Sequence, residues 1–211
     1  MNSQVVKLNR NLIPEIKSRL KAGEVIILPT DTVYALVANG KDIEAVTRLR
    51  QIKAFSSPQP LGIFTRKEKA EQVVEVDQFA LQMMNHFPYP VTMIMRAKST
   101  LSEAVTNGFK NVFVTCPDRF IYDLIMEIPF PIVGTSAAFA GIQASNAELA
   151  VKFFGDKVDF IVDGGESKHG RSSTLVDFTV EVPTIMTYGT VSVDDLRPLL
   201  PQIVLPSHMM K

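Results

Sequence analysis

Val25-Ile26-Ile27-Leu28-Pro29-Thr30-Asp31-Thr32-Val33-Tyr34-Ala35-Leu36 is the stretch that decides the fold. Its first four residues form a short apolar run, which reads as a buried strand stopped by Pro29. Two threonines and an aspartate follow in a tight loop, offering hydroxyls and backbone N–H groups to an anion or an amino acid. Ligands of open α/β sheets bind beyond the carboxyl ends of strands, so this loop is a candidate site. The alternative is a capped turn in which Asp31 bonds its own backbone.

Outward from this stretch, the pattern alternates. Leu12, Ile16 and Leu20 share one stripe of a helix over 11–22, with Gly23 as its stop. Asp42 caps a second helix to about Ile52, where Ile43, Val46 and Leu49 recur at helical spacing. Residues 61–64 read as another buried strand, and Thr65 with Glu68 fits a capping box for the next helix. Asp77 caps a helix reaching Phe87. Further strands are expected at 90–96, 112–115, 131–135, 159–162, 173–178 and 184–187. Helices are expected at 119–127, 146–154 and 193–200.

This order predicts a mixed α/β sheet with helices on its faces. No internal repeat, low-complexity stretch or long linker divides it, so residues 1–200 are expected to form one domain. Residues 201–211, with Pro201 and Pro206, read as a loosely held tail.

Composition narrows the class. Lys plus Arg and Asp plus Glu both number 22, a formal charge of zero, so binding to nucleic acid would need a local basic patch. No apolar run approaches the roughly 20 residues that span a bilayer, so no membrane partner is expected. The first ten residues lack the apolar core of a signal peptide. Cys116 is the only cysteine, which excludes an internal disulfide and fits a reducing, cytoplasmic setting.

Three more segments carry candidate chemistry. Lys53 ends its helix, where it either complements the dipole or holds polyphosphate as a mobile charge. Gly134-Thr135-Ser136-Ala137-Ala138 follows a strand; its small residues admit a ligand to the backbone, or pack a strand end closely. Residues 163–174, Asp-Gly-Gly-Glu-Ser-Lys-His-Gly-Arg-Ser-Ser-Thr, make either a phosphate cradle or a flexible surface loop. No P-loop, nucleophile elbow or zinc spacing is present, and His86, His169 and His208 lie far apart. Cys116 has no base beside it and reads as a buried thiol.

These segments, in this order, resemble the YrdC-like family, which includes threonylcarbamoyl-AMP synthases and the YciO branch. The resemblance covers nearly all of residues 10–200. It rests on the PTDTVYAL segment, the aromatic-Pro-x-Pro-x-Thr run at 87–92, the GTSA segment, and the VDGG and SSTLVDFT pieces. It implies a YrdC-like twisted mixed sheet flanked by helices, with a positively charged concave surface. The family's synthases join L-threonine, bicarbonate and ATP into threonylcarbamoyl-AMP and pyrophosphate, for modification of an adenosine in certain tRNAs. An N-carboxylated threonine attacks the α-phosphate, which calls for Lys, Arg, Mg²⁺ and fixed hydroxyl donors.

Carried over residue by residue, the resemblance implies catalytic roles for Lys53 and Ser136. It places Thr30, Thr32, Tyr34, Thr135, Ser173 and Thr174 near nucleotide or threonine, and leaves Lys168 and Arg171 to supply positive charge. The sequence departs from the family where an arginine is expected at Phe55, another at Thr115, and an asparagine at Ala138. A hydrogen bond to a charged group is worth roughly 1.5–3 kcal/mol, so these losses are costly. The wording of the first motif and the ending VPTIMTYG resemble the YciO branch.

The leading expectation is therefore a nucleotide- or RNA-binding protein linked to tRNA modification or translation, its synthase activity weak or lost. Its partners would be a nucleotide, L-threonine, and tRNA or ribosomal RNA, double-stranded RNA included. One alternative is an active threonylcarbamoyl-AMP synthase, using ATP and Mg²⁺ with no tightly bound metal. Another is a different carbamoyl or acyl transferase on the same scaffold.

Overall fold

The structure, a computed structural model, describes residues 3–206. The first half of the chain runs β1 (Gln4–Lys7), α1 (Ile13–Lys21), β2 (Ile26–Leu28), β3 (Ala35–Asn39), α2 (Ile43–Lys53), β4 (Gly62–Phe64), α3 (Lys67–Ala70) and α4 (Gln78–Met84). Next come β5 (Tyr89–Arg96), α5 (Glu103–Thr106), β6 (Asn111–Cys116), α6 (Arg119–Glu127) and β7 (Ile132–Ser136). The remainder is β8 (Ala138–Phe139), β9 (Ile142–Gln143), α7 (Ala147–Phe154), β10 (Phe160–Asp163), β11 (Thr174–Asp177), β12 (Thr184–Thr187) and α8 (Val193–Leu196).

Ten strands form one mixed sheet in the order β1-β10-β2-β3-β7-β4-β6-β5-β11-β12, and β8 and β9 make a separate hairpin. The predicted mixed α/β architecture is thus observed. In β2 every residue is buried, as its unbroken apolar run requires; burial of such a side chain stabilises by about 1.5–3 kcal/mol. In β6 burial alternates: Val112, Val114 and Cys116 are buried while Phe113 and Thr115 are half-buried on the other face. Among the described residues, no helix is long and apolar enough to cross a membrane.

Several local expectations need correction. The polar N-terminus contributes an edge strand, β1, paired in parallel with β10. Residues 35–39, given no element in the sequence reading, form β3 antiparallel to β2, so the loop proper is 29–34. The Thr65–Glu68 capping box does not form: Arg66 is the N-cap residue and no side chain caps α3. Glu68 instead pairs with Arg66, which holds its carboxyl down at about 2. The last helix stops at Leu196, with a Ser192–Asp195 capping box at its start. Residues 201–206 are docked, with Ile203 buried and Val204 bridged to Thr184; 207–211, including His208, lie outside the described residues.

Candidate functional site

A cavity of about 310 Å³ lies on one face of the sheet. Strand register builds its floor. Gly62 of β4 pairs with Gly134 of β7 on one side and Phe113 of β6 on the other. One step along, Phe64 pairs with Thr115, Thr115 with Thr92, Thr92 with Leu175, and Leu175 with Thr187. Because side chains alternate along each strand, residues in register line one face together. The 29–34 loop adds Thr30, Thr32 and Val33 to the wall, the end of β7 adds Thr135 and Ser136, and the segment before β11 adds Ser172 and Ser173.

The 29–34 loop is held by its own first hydroxyl. Thr30 Oγ1 accepts from the backbone N–H of Thr32 and of Val33, each at 3.2 Å, and donates to the Val33 carbonyl at 2.6 Å. It also lies 2.8 Å from Thr32 Oγ1. The capped turn therefore exists, but Thr30 rather than Asp31 makes it. Asp31 N donates to Asp118 Oδ2 at 3.1 Å, while Asp118 Oδ1 accepts from Ile121 N at 2.9 Å and caps α6. Burial pushes the Asp118 carboxyl up to about 6, against the downward pull of these N–H donors.

Other expected site residues serve as clasps. The Tyr34 hydroxyl donates to the Gly165 carbonyl at 2.8 Å and accepts from Gly164 N at 3.0 Å, and burial raises it to about 12. Tyr34 thus pins the 163–174 loop beneath the site, and His169 N, bonded to the Asp31 carbonyl, pins it again. Lys53 Nζ donates to the carbonyls of Ser136 at 3.0 Å and Ala138 at 2.8 Å, and burial lowers its pKa. Thr174 is fully buried: its hydroxyl donates to the Val191 carbonyl and accepts from Gly189 N and Val191 N.

The structure therefore gathers Thr30, Thr32, Thr135, Ser136 and Ser173 around one cavity. Tyr34, Lys53 and Thr174 stand behind its walls. Lys168 lines a second cavity of about 140 Å³ that shares only Thr30 with the first. Arg171 is exposed, with Nη2 on the Thr190 carbonyl at 3.3 Å. Sequence reasoning missed Gln59, Gly62, Thr92, Phe113 and Thr187. Strand alternation pairs Phe113 with Thr115, but only the topology says which face of β6 meets the cavity.

The positions that depart from the family pattern differ in setting. Thr115 lines the cavity, donating to the Val91 carbonyl at 3.0 Å. Phe55 is half-buried, its ring centroid 5.8 Å from the Arg50 guanidinium, and lies outside the wall. Ala138 offers its carbonyl to Lys53.

The expected positive surface is not found in this cavity: among the described residues, no Asp, Glu, Lys, Arg or His forms part of its wall. Cations nearby bond protein acceptors instead. Arg50 donates to the carbonyls of Ala104, Gln59 and Val105. Arg66 pairs with Glu68 and packs over Tyr122 at 4.4 Å. Among the described residues, no group of three or more His, Cys, Asp or Glu side chains is placed to hold a metal ion.

Comparison with known proteins agrees with this architecture. The family model described as "Telomere recombination", which takes in Sua5, YciO and YrdC, matches residues 18–189. A threonylcarbamoyl-AMP synthase of Pyrococcus abyssi is 29% identical over 205 residues, 92% of this chain and 60% of that relative. The crystal structure of P. abyssi Sua5 complexed with L-threonine aligns with a TM-score of 0.87 and 25% identity, over 98% of this chain and 63% of that one. The crystal structure of E. coli YciO aligns with a TM-score of 0.81 and 23% identity, over 94% of this chain and 100% of that one. This chain thus spans about three fifths of the Pyrococcus relative and the whole of the YciO chain. With the family model covering residues 18–189, the chain belongs to the Sua5/YciO/YrdC family.

Proposed function

We propose that this chain is a nucleotide- or RNA-binding member of its family, linked to tRNA modification or translation, whose threonylcarbamoyl-AMP synthase activity is weak or lost. The observation that carries this reading is the uncharged wall of the cavity. Attack on the α-phosphate of ATP–Mg²⁺ develops negative charge that cations must neutralise. Of the cations close to the site, Lys53, Arg50 and Arg66 bond backbone carbonyls, a carboxylate or an aromatic ring instead. A cytoplasmic setting fits the buried thiol of Cys116.

An active synthase is the second reading. It is favoured by the Thr30, Thr32, Ser136 and Ser173 hydroxyl positions around one cavity and by the 29% identity to the Pyrococcus relative. One experiment separates the two. ATP–Mg²⁺ is titrated calorimetrically with and without L-threonine and bicarbonate, and pyrophosphate is followed in parallel. Nucleotide binding without turnover supports the first reading. Pyrophosphate formed only when all three substrates are present establishes the second.

A further inference from the structure

We propose that the second cavity, behind the 29–34 loop, is a binding site for a small free amine, holding a primary ammonium group on a short carbon chain. This cavity, of about 140 Å³, shares only Thr30 with the one read as the nucleotide site. The inference therefore stands or falls independently of the proposed function.

The charge of the wall is the first observation. Asp31, Asp118 and Glu166 bring three carboxylates to it, against one basic side chain, Lys168, among the described residues. Glu166 is already held, accepting from Ser145 Oγ at 2.8 Å and from Asn146 Nδ2 at 2.9 Å. Asp31 and Asp118 are not neutralised: neither has a salt-bridge partner among the described residues. Asp118 is only 6% exposed, and its two oxygens each accept a backbone N–H, from Asp31 and from Ile121. A carboxylate oxygen has two acceptor sites, so each keeps one for a ligand. Burial, and then the charge of Asp31, push this carboxyl up to about 6, as befits a pair without a counter-ion.

Ser167 points to a ligand independently. It lines the same cavity at 9% exposure, and its buried hydroxyl has no hydrogen-bond partner among the described residues. A buried hydroxyl left unpaired is unfavourable, and a ligand donor would satisfy it. A primary ammonium carries three N–H donors; two carboxylates and this hydroxyl are three acceptors. Leu8, Pro29 and Phe120 supply apolar wall for the carbon chain. The volume equals roughly four to five waters at about 30 Å³ each, room for an ammonium and three or four carbons. A divalent metal fits less well, because it needs several oxygens at short range. Among the described residues, no group of three or more His, Cys, Asp or Glu side chains is so placed.

The test is an amide-resolved NMR titration of the full chain at pH 7.5 with n-butylammonium chloride, and with n-butanol as the uncharged control. Butylammonium should shift the amides of Asp31, Ser167 and Lys168 saturably, with a Kd below about 5 mM. Raising sodium chloride from about 50 to 500 mM should weaken it at least about threefold, since a charge contact is screened. Asp118→Asn removes one buried charge and should weaken binding at least about tenfold. If that variant fails to fold, Asp31→Asn, at a half-buried loop position, should do the same. Ser167→Ala should weaken binding about threefold by removing the third acceptor. Butanol binding as tightly as butylammonium, shifts that spread without saturating, or folded aspartate variants that bind like the parent would each overturn the inference.

Discussion

Lys53 and Ser136, the residues for which family resemblance implies catalytic roles, meet through a backbone carbonyl, with Lys53 Nζ 3.0 Å from the Ser136 oxygen. A second bond, 2.8 Å to the Ala138 carbonyl, ties the end of β7 to the start of the β8–β9 hairpin. The ammonium thus acts as a bracket for the cavity rim.

Lys53→Met keeps the stem and deletes the donors. Two carbonyls lose a charge-assisted bond, costing about 1–3 kcal/mol. For a chain of this length that is a fall of roughly 2–10 °C in Tm. Differential scanning calorimetry reads the loss, and hydrogen exchange should localise it to residues 136–143. An unchanged Tm with unchanged exchange would free Lys53 for a role at the ligand.

Thr115→Arg returns a cation to a cavity-facing position. One hydrogen bond from a guanidinium to phosphate is worth roughly 1.5–3 kcal/mol, so ATP–Mg²⁺ should bind about ten- to hundredfold more tightly. The same side chain fills part of the cavity floor. Calorimetry with ATP–Mg²⁺ on parent and variant reads the gain, and its absence would show that Thr115 does not face bound phosphate.

Ser173 and Thr174 are neighbours in sequence on opposite faces of the chain. Ser173→Ala should alter stability by less than about 0.5 kcal/mol while weakening ligand binding. Thr174→Val should cost on the order of 2–3 kcal/mol, because the buried N–H groups of Gly189 and Val191 lose their acceptor. Denaturant unfolding of both variants checks the contrast; equal destabilisation would contradict the alternation.

Asp118 gives a pH dependence of defined sign. Its folded value, about 6, lies above the ordinary 3.8 because burial disfavours the carboxylate. The stability attached to its protonated form is complete below pH 3.8, declines as pH rises, and is lost above about 6. The full amplitude is on the order of 3 kcal/mol. Unfolding from pH 4 to pH 7 should show this decline, and Asp118→Asn should flatten it. A variant with the same slope as the parent would assign the effect elsewhere.

Much of this protein could be read in advance because it depends on local chemistry. The apolar run 25–28 marks a buried strand wherever it sits, and Asp42 and Asp77 cap helices through N–H groups three residues away. Four collinear segments were enough to indicate the family. Thr30, Thr32, Thr135, Ser136 and Ser173, expected at a site and found at one cavity, all come from segments singled out at strand ends.

Local chemistry thus gives most of the elements, the mixed α/β class and the strand ends that could carry a site. Which residues meet depends on the tertiary fold alone. Cross-strand register joins Thr92, Thr115, Leu175 and Thr187, which lie far apart in the chain, into one row, and the same alternation turns Thr174 away. It also decided that Tyr34 and Lys53 clasp the site instead of entering it, because each meets acceptors many residues distant. Local propensity acts over a few residues; pairing across a sheet does not, and this cavity is made of such pairings.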